Sequence, residues 1–221
     1  MKTISKNSEK YLIKEFIDAF IKEVLKKKKK NERFSFVLTG GKSPIKLYQE
    51  LAKSNIDWSN IDLFWGDERY VSHMSKNSNY KLVYDELIKK IKINKKNIFP
   101  IKTQKSISKS SIDYSASIKN YFKNKKNNFD YCLLGMGKDG HIASLFPNSE
   151  NLFKKCITKP VTRKDFNRIT LGLNVINNSK KILLWLNNKS KSKIYLKIKK
   201  KGKKIPVNNL NKNNTIIYKI R

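Results

Sequence analysis

The run Phe34-Ser35-Phe36-Val37-Leu38 opens directly into Thr39-Gly40-Gly41-Lys42-Ser43-Pro44. Four apolar residues around a single serine read as a buried strand, and the glycines that follow mark its end. Pro44 suits the first position of a helix, where its missing N–H removes no bond. Ile45, Tyr48 and Ala52, with Leu47 and Leu51 alongside, give that helix an apolar face. The unit is a strand, a glycine turn and a helix.

The unit recurs. Ile61-Asp62-Leu63-Phe64-Trp65 leads into Gly66-Asp67-Glu68-Arg69-Tyr70-Val71, with a helix expected around residues 80–91. Tyr131-Cys132-Leu133-Leu134 leads into Gly135-Met136-Gly137-Lys138-Asp139-Gly140-His141, with a short helix expected after it. Residues 8–30 predict an amphipathic helix, because Leu12, Phe16, Ile17, Phe20, Ile21, Val24 and Leu25 fall at helical spacing. Lys26 to Lys30 form its solvated end, with the charge that suits a helix C-terminus. A further helix is expected near residues 110–124, strands at 168–173, 181–186 and 215–219, and a lysine-rich helix over 190–201. Strands alternating with helices predict an α/β layered fold with a mostly parallel central sheet flanked by helices. The 221 residues suit a single domain spanning 1–221. Ligands of such sheets bind beyond the carboxyl ends of the strands, so the three loops are expected to converge on one pocket.

The formal net charge of +33 points first to nucleic acid or an anionic surface. The 45 lysines stand against only 5 arginines, and 26 isoleucines and 25 asparagines against 4 alanines. That pattern follows A/T-rich codons. Specific nucleic-acid readers favour the planar guanidinium, which is scarce here, so no specific nucleic-acid partner is expected. Cys132 lies in an apolar run and reads as a small core residue. Two cysteines, no continuous apolar stretch of the kind a secretory signal needs and no long apolar run suggest a cytoplasmic protein that does not enter a membrane. A monomer is expected.

Each loop has a chemical reading. Gly40, Gly41, Lys42 and Ser43 can bring backbone N–H groups and a hydroxyl close to an anion at a helix N-terminus. A nucleotide P-loop is excluded, because Phe36 stands where its first glycine belongs and Pro44 follows the serine. In the second loop Asp67 and Glu68 offer carboxylates and Arg69 an anion contact, but adjacent residues cannot all face one ligand. The third loop matches G-x-G-x-x-G without the acidic residue a dinucleotide site requires. It carries His141, one of two histidines, as a candidate general base, with Asp139 to orient it. His73 lacks such a context and reads as a surface residue. No nucleophile elbow or metal-ligand set is present in the sequence, so neither metal nor cofactor is expected.

Taken together, four blocks resemble the 6-phosphogluconolactonases, relatives of the glucosamine-6-phosphate deaminases. They are Thr39 to Pro44, Gly66 to Val71 with Ser78-Asn79 downstream, Leu134 to Pro147, and Arg168-Ile169-Thr170-Leu171. The resemblance implies a fold similar to the glucosamine-6-phosphate deaminase/ribose-5-phosphate isomerase-like one. It also implies hydrolysis of 6-phospho-D-glucono-1,5-lactone in the oxidative pentose phosphate pathway. Its site residues map to His141, Asp139 and Arg69 for catalysis, and to Gly40, Gly41, Lys42, Ser43, Arg168 and Lys191 for the substrate phosphate. Asp67 and Lys138 map to other parts of the substrate, and Lys189 and Lys193 compete with Lys191. Deaminases of the superfamily carry a catalytic glutamate where this chain has Phe146. Ser72 departs from the proline usual after the Asp-Glu-Arg-Tyr-Val block. The remaining alternatives are a sugar-phosphate deaminase or isomerase, a sugar-phosphate-binding module without turnover, and a basic nucleic-acid-binding protein.

Overall fold

The computed structural model describes residues 1–104, 106–123 and 128–221. Ten strands and six α-helices are described: β1 (Lys2–Lys6), α1 (Glu9–Lys28), β2 (Phe34–Leu38), α2 (Ile45–Lys53), β3 (Ile61–Trp65), β4 (Asp67–Arg69), α3 (Asn79–Glu86), β5 (Ile98–Phe99), α4 (Ile107–Tyr121), β6 (Tyr131–Leu134), β7 (Thr158–Val161), β8 (Arg168–Leu171), α5 (Leu173–Asn178), β9 (Lys181–Leu186), α6 (Lys189–Lys199) and β10 (Thr215–Ile220). Seven strands form a parallel sheet in the order β1-β10-β9-β6-β2-β3-β5. Its central strands β2, β3 and β6 are buried along their whole length, as expected of parallel strands covered on both faces. The registers Leu38↔Trp65 and Val37↔Cys132 bring the carboxyl ends of these three strands level.

Helix α1 starts at Ser8, whose side chain accepts the Tyr11 N–H, and buries Leu12, Ile13, Phe16, Phe20 and Val24. Phe16 packs edge-on against Trp185 of β9 (5.8 Å between ring centroids), and Phe20 against Phe34 of β2 (5.3 Å). These contacts tie the first helix across the middle of the sheet. Cys132 is fully buried, and burial pushes its thiol up to about 12, which makes it an inert core residue.

Several expectations are corrected. The Asp67-Glu68-Arg69 segment is a strand rather than a loop, and β8 does not join the parallel sheet. Gly66 donates its N–H to Leu38 O (2.9 Å) and accepts from Leu171 N (2.9 Å), so the chain turns out of the main sheet. It then pairs antiparallel with β8 in a small β4-β8-β7 sheet, with Arg69 opposite Arg168. Strand β8 stops at Leu171 because Gly172 begins α5. No helix follows His141: Ala143 has a φ of 47°, which breaks a right-handed helix, and residues 141–147 form turns. Pro44 precedes α2 as its cap rather than occupying the first helical position. Helix α3 ends at Glu86 and is followed by a 3₁₀ turn over Ile88–Lys90. Helix α4 occupies the place expected for 110–124, and residue 124 lies outside the described residues. His73 is half-buried, stacked on Tyr80 (4.5 Å between centroids) with Nε2 2.8 Å from Ile101 O.

Candidate active site

The first loop is held from behind. Tyr48 of α2 accepts the Thr39 N–H (3.0 Å) and donates its hydroxyl to Thr39 O (2.7 Å), clamping the end of β2. A Cβ on Gly40 would lie 1.9 Å from Asn79 Oδ1, so only glycine lets the loop pass that buried side chain. Trp185 Nε1 donates to Ser43 O (3.2 Å), and Lys191 Nζ donates to Ser43 Oγ. Lys191 comes from the first turn of α6, and burial lowers its pKa, which marks an ammonium short of partners. Lys189 and Lys193 are exposed and do not line the cavity that Lys191 faces.

Alternation along β4 separates the three charged residues of the second loop. Asp67 and Arg69 face the cavity and Glu68 faces away, as the pleat requires. Glu68 accepts the N–H groups of Arg69 (2.8 Å), Asn79 (2.7 Å) and Tyr80 (2.7 Å), and the Ser78 hydroxyl (3.1 Å). It anchors the start of α3. Burial pushes its pKa up to about 7 against these bonds. Asp67 is also buried, which raises its pKa, while the Ser144 hydroxyl donated to Oδ2 (2.6 Å) opposes the shift. Asn79 Nδ2 donates to Asp67 O (3.0 Å), joining this strand to the Gly40 turn. Arg69 donates to Asn77 O (2.8 Å), and its guanidinium lies 5.6 Å from the Phe166 ring centroid.

The third loop presents the imidazole. Asp139 Oδ1 lies 2.6 Å from His141 Nδ1 and accepts the His141 backbone N–H (3.1 Å). Burial alone would raise the Asp139 pKa, but its bonds to His141 outweigh burial and hold it low. A carboxylate at Nδ1 favours the tautomer with the proton there and the lone pair on Nε2. Among the described residues Nε2 has no protein partner. A Cβ on Gly137 would lie 2.1 Å from His141 Cε1, so the ring rests directly on that backbone. Phe146 forms the next wall, its centroid 4.8 Å from the imidazole, with the Arg163 guanidinium 4.2 Å away.

These walls enclose about 540 Å³, within the usual range for a small-molecule site. Of the site candidates named from the sequence, Gly40, Gly41, Lys42, Ser43, Asp67, Arg69, Lys138, Asp139, His141, Arg168 and Lys191 line it, and Glu68, Lys189 and Lys193 do not. Thr39, Asn79, Ser144, Phe146, Arg163 and Asp165 also line it and had not been singled out as site residues. One signal for Arg163 was available. In a chain with 45 lysines and 5 arginines, three arginines (Arg69, Arg163 and Arg168) meet at one cavity. Among the described residues no cluster of three or more His, Cys, Asp or Glu is placed to hold a metal ion.

Residues 7–218 match the family described as glucosamine-6-phosphate isomerases/6-phosphogluconolactonase, and the chain belongs to that family. It is 30% identical over 190 residues to the 6-phosphogluconolactonase of Thermotoga maritima, covering 82% of this chain and 84% of that protein. Its fold is similar to a crystal structure of a 6-phosphogluconolactonase from Shewanella baltica, with a TM-score of 0.87, 23% identity and coverage of 100% of this chain and 98% of that one. It is as similar to a monomeric glucosamine-6-phosphate deaminase, with a TM-score of 0.85, 20% identity and the same coverage. The fold therefore does not choose between the two chemistries, and the choice falls to the site.

Proposed function

We propose that this chain hydrolyses 6-phospho-D-glucono-1,5-lactone to 6-phospho-D-gluconate, a step of the oxidative pentose phosphate pathway. One observation carries the reading: the unpartnered Nε2 of His141, oriented by Asp139, faces the same cavity as the Ser43–Lys191 pair. The phosphoryl group occupies the Gly40–Ser43 turn with Lys191 and Arg168 as counter-charges. That leaves the lactone carbonyl for the imidazole side of the cavity. Nε2 takes a proton from the attacking water as its oxygen bonds to the carbonyl carbon. Arg69 and Lys138, both lining the cavity, supply positive charge for the developing oxyanion. As the intermediate collapses, the ring C–O bond breaks and the ring oxygen takes the proton from Nε2. Asp139 stabilises the imidazolium between these two transfers.

Phe146 favours this reading over deamination. It stands where the related deaminases carry a catalytic glutamate, and it offers an apolar ring rather than an acid or base. No described helix is long and apolar enough to cross a membrane. The free thiols Cys132 and Cys156 support a reducing, cytoplasmic setting.

The test is lactone hydrolysis by purified protein, followed by proton release and corrected for spontaneous opening. Turnover well above that background is expected, with no ammonia from glucosamine 6-phosphate. Ammonia release without lactone turnover would reverse the assignment.

A further inference from the structure

Arg168 occupies the cavity wall already engaged. Its Nη1 and Nη2 donate to Asp165 Oδ1 (2.9 Å) and Oδ2 (2.6 Å), a two-pronged pair, and Nη1 also donates to Phe166 O (2.7 Å). A phosphoryl group that docks on the Nη1–Nη2 edge, the edge Asp165 holds, needs these nitrogens, because the fork binds carboxylate and phosphate in one geometry. On that edge one partner has to give way. Arg168 is the fixed one: it is paired in β8 with Arg69 on one side and Val161 on the other, and only 10% of its side chain is exposed. Its guanidinium lies between Phe146 (5.6 Å) and Phe166 (5.9 Å). Asp165 sits on the segment between β7 and β8 with 58% of its side chain exposed, so it has water to move into.

The chain's other two-pronged arginine pair shows the contrast. Arg33 donates Nε and Nη2 to Asp62 (2.6 and 2.7 Å), but there the carboxylate is only 2% exposed. A buried carboxylate pays heavily for losing its cation, whereas an exposed one regains hydration. The Arg33 pair is built to stay closed, and the Arg168 pair can open.

We infer that Asp165 competes with the substrate's phosphoryl group for Arg168 and so sets the affinity of the site. The inference rests on the proposed phosphate role of Arg168. The closed pair acts as a reserve of binding-incompetent sites, which raises the apparent dissociation constant by the inverse of the open fraction. The hydrogen bonds from Arg168 hold the Asp165 carboxyl far below the ordinary carboxylate range. Asp165 is therefore charged at any pH near neutrality, and the competition is a constant property of the site. It applies equally to the product, which carries the same phosphoryl group.

Inorganic phosphate serves as a probe that needs no turnover. Its Kd, from calorimetry or from competitive inhibition, and the KM for the lactone are measured for wild type, D165N, D165A and R168A. D165N removes the charge but keeps one oxygen to accept from Arg168, and D165A removes both. Both are expected to tighten phosphate and lower KM by roughly two- to fivefold, the worth of an ion pair whose carboxylate is largely exposed. Unchanged or weaker binding in D165N, with R168A clearly weakened, overturns the competition and leaves the phosphate site standing. Weakening in D165A alone makes Asp165 a positioning residue and equally overturns it. An R168A variant that binds phosphate as wild type does removes Arg168 from the phosphate site, and the inference falls with it.

Discussion

The two ends of the parallel sheet handle charge in opposite ways. At the amino end, Asp130 accepts the Ser35 N–H (2.9 Å) and hydroxyl (3.0 Å) and is paired with Lys180 (2.8 Å) and Lys27 (3.2 Å). Asp62 nearby takes Arg33 and the Tyr121 hydroxyl (2.8 Å). Each buried carboxylate there has its complement of donors. At the carboxyl end, Lys191 meets a neutral hydroxyl and Arg69 a backbone carbonyl, and among the described residues the only carboxylate pairing a cavity arginine is the largely exposed Asp165. One end spends its charge on itself, and the other leaves it open to an anion. Substitutions at the carboxyl end should therefore cost catalysis with little stability, and those at the amino end the reverse.

The sharpest way to break that division is at His141. General acid–base groups contribute about 10²–10⁴-fold, so His141→Ala should lower kcat by that factor. Its melting temperature should stay close to wild type, because the ring is about one third exposed. A kcat within twofold of wild type would remove the imidazole from the proton path.

Next in size is Gly137→Ala. The new methyl would meet the imidazole ring and force it off its place beside Asp139. A misplacement near 1 Å costs on the order of 10²-fold in rate. Steady-state kinetics should show the loss in kcat rather than KM, since Ser43 and Lys191 are untouched. A loss confined to KM would mean that this turn serves binding.

The division between the two ends explains what was legible in the sequence. The parallel core announced itself as apolar runs ending in glycine turns, because strands covered on both faces must be apolar throughout. The edge strand β1, Lys-Thr-Ile-Ser-Lys, is partly open to solvent and carries no such run. The three loops could be assigned to one pocket because strand ends in a parallel sheet share one side. The small antiparallel sheet was hidden: three charged residues look like a loop until Gly66 bonds to both Leu38 and Leu171. Arg163 and Asp165 carried no positional signal for a related reason. They lie in an irregular segment with no periodicity, and they line the cavity in contact with Phe146 and Arg168.

At the amino end the expected signature reverses. Asp130→Ala orphans the buried Ser35 N–H and takes the carboxylate from Lys180, while Lys27 keeps Glu32 (2.6 Å). The cost of a buried unsatisfied donor is about 1–3 kcal/mol, to be read from urea unfolding. Because Asp130 lies at the opposite end of the strands from His141, kcat and KM should match wild type. A large kinetic defect with intact stability would show that the two ends are not independent.

The smallest effect tests the same end where it is open to water. Asp57 accepts from Lys28 Nζ (2.6 Å), Ser59 Oγ (2.5 Å) and Ser59 N (3.0 Å), tying the end of α1 to the entry of β3. The Lys28 bond first, and the Ser59 bonds after it, lower its carboxyl to about 2. A carboxyl lowered in the folded state adds stability above its ordinary titration range and loses that contribution as pH falls towards the folded value. With over a third of the side chain exposed, the contribution is about 0.5 kcal/mol, or about 1–2 °C in Tm. Asp57→Asn should show that deficit at pH 7 and a shrinking one as pH falls from about 4 towards 2. A deficit that holds its size at pH 3 would mean that hydrogen-bond geometry rather than charge ties α1 to β3, and that the exposed rim of this end stabilises the fold without electrostatics.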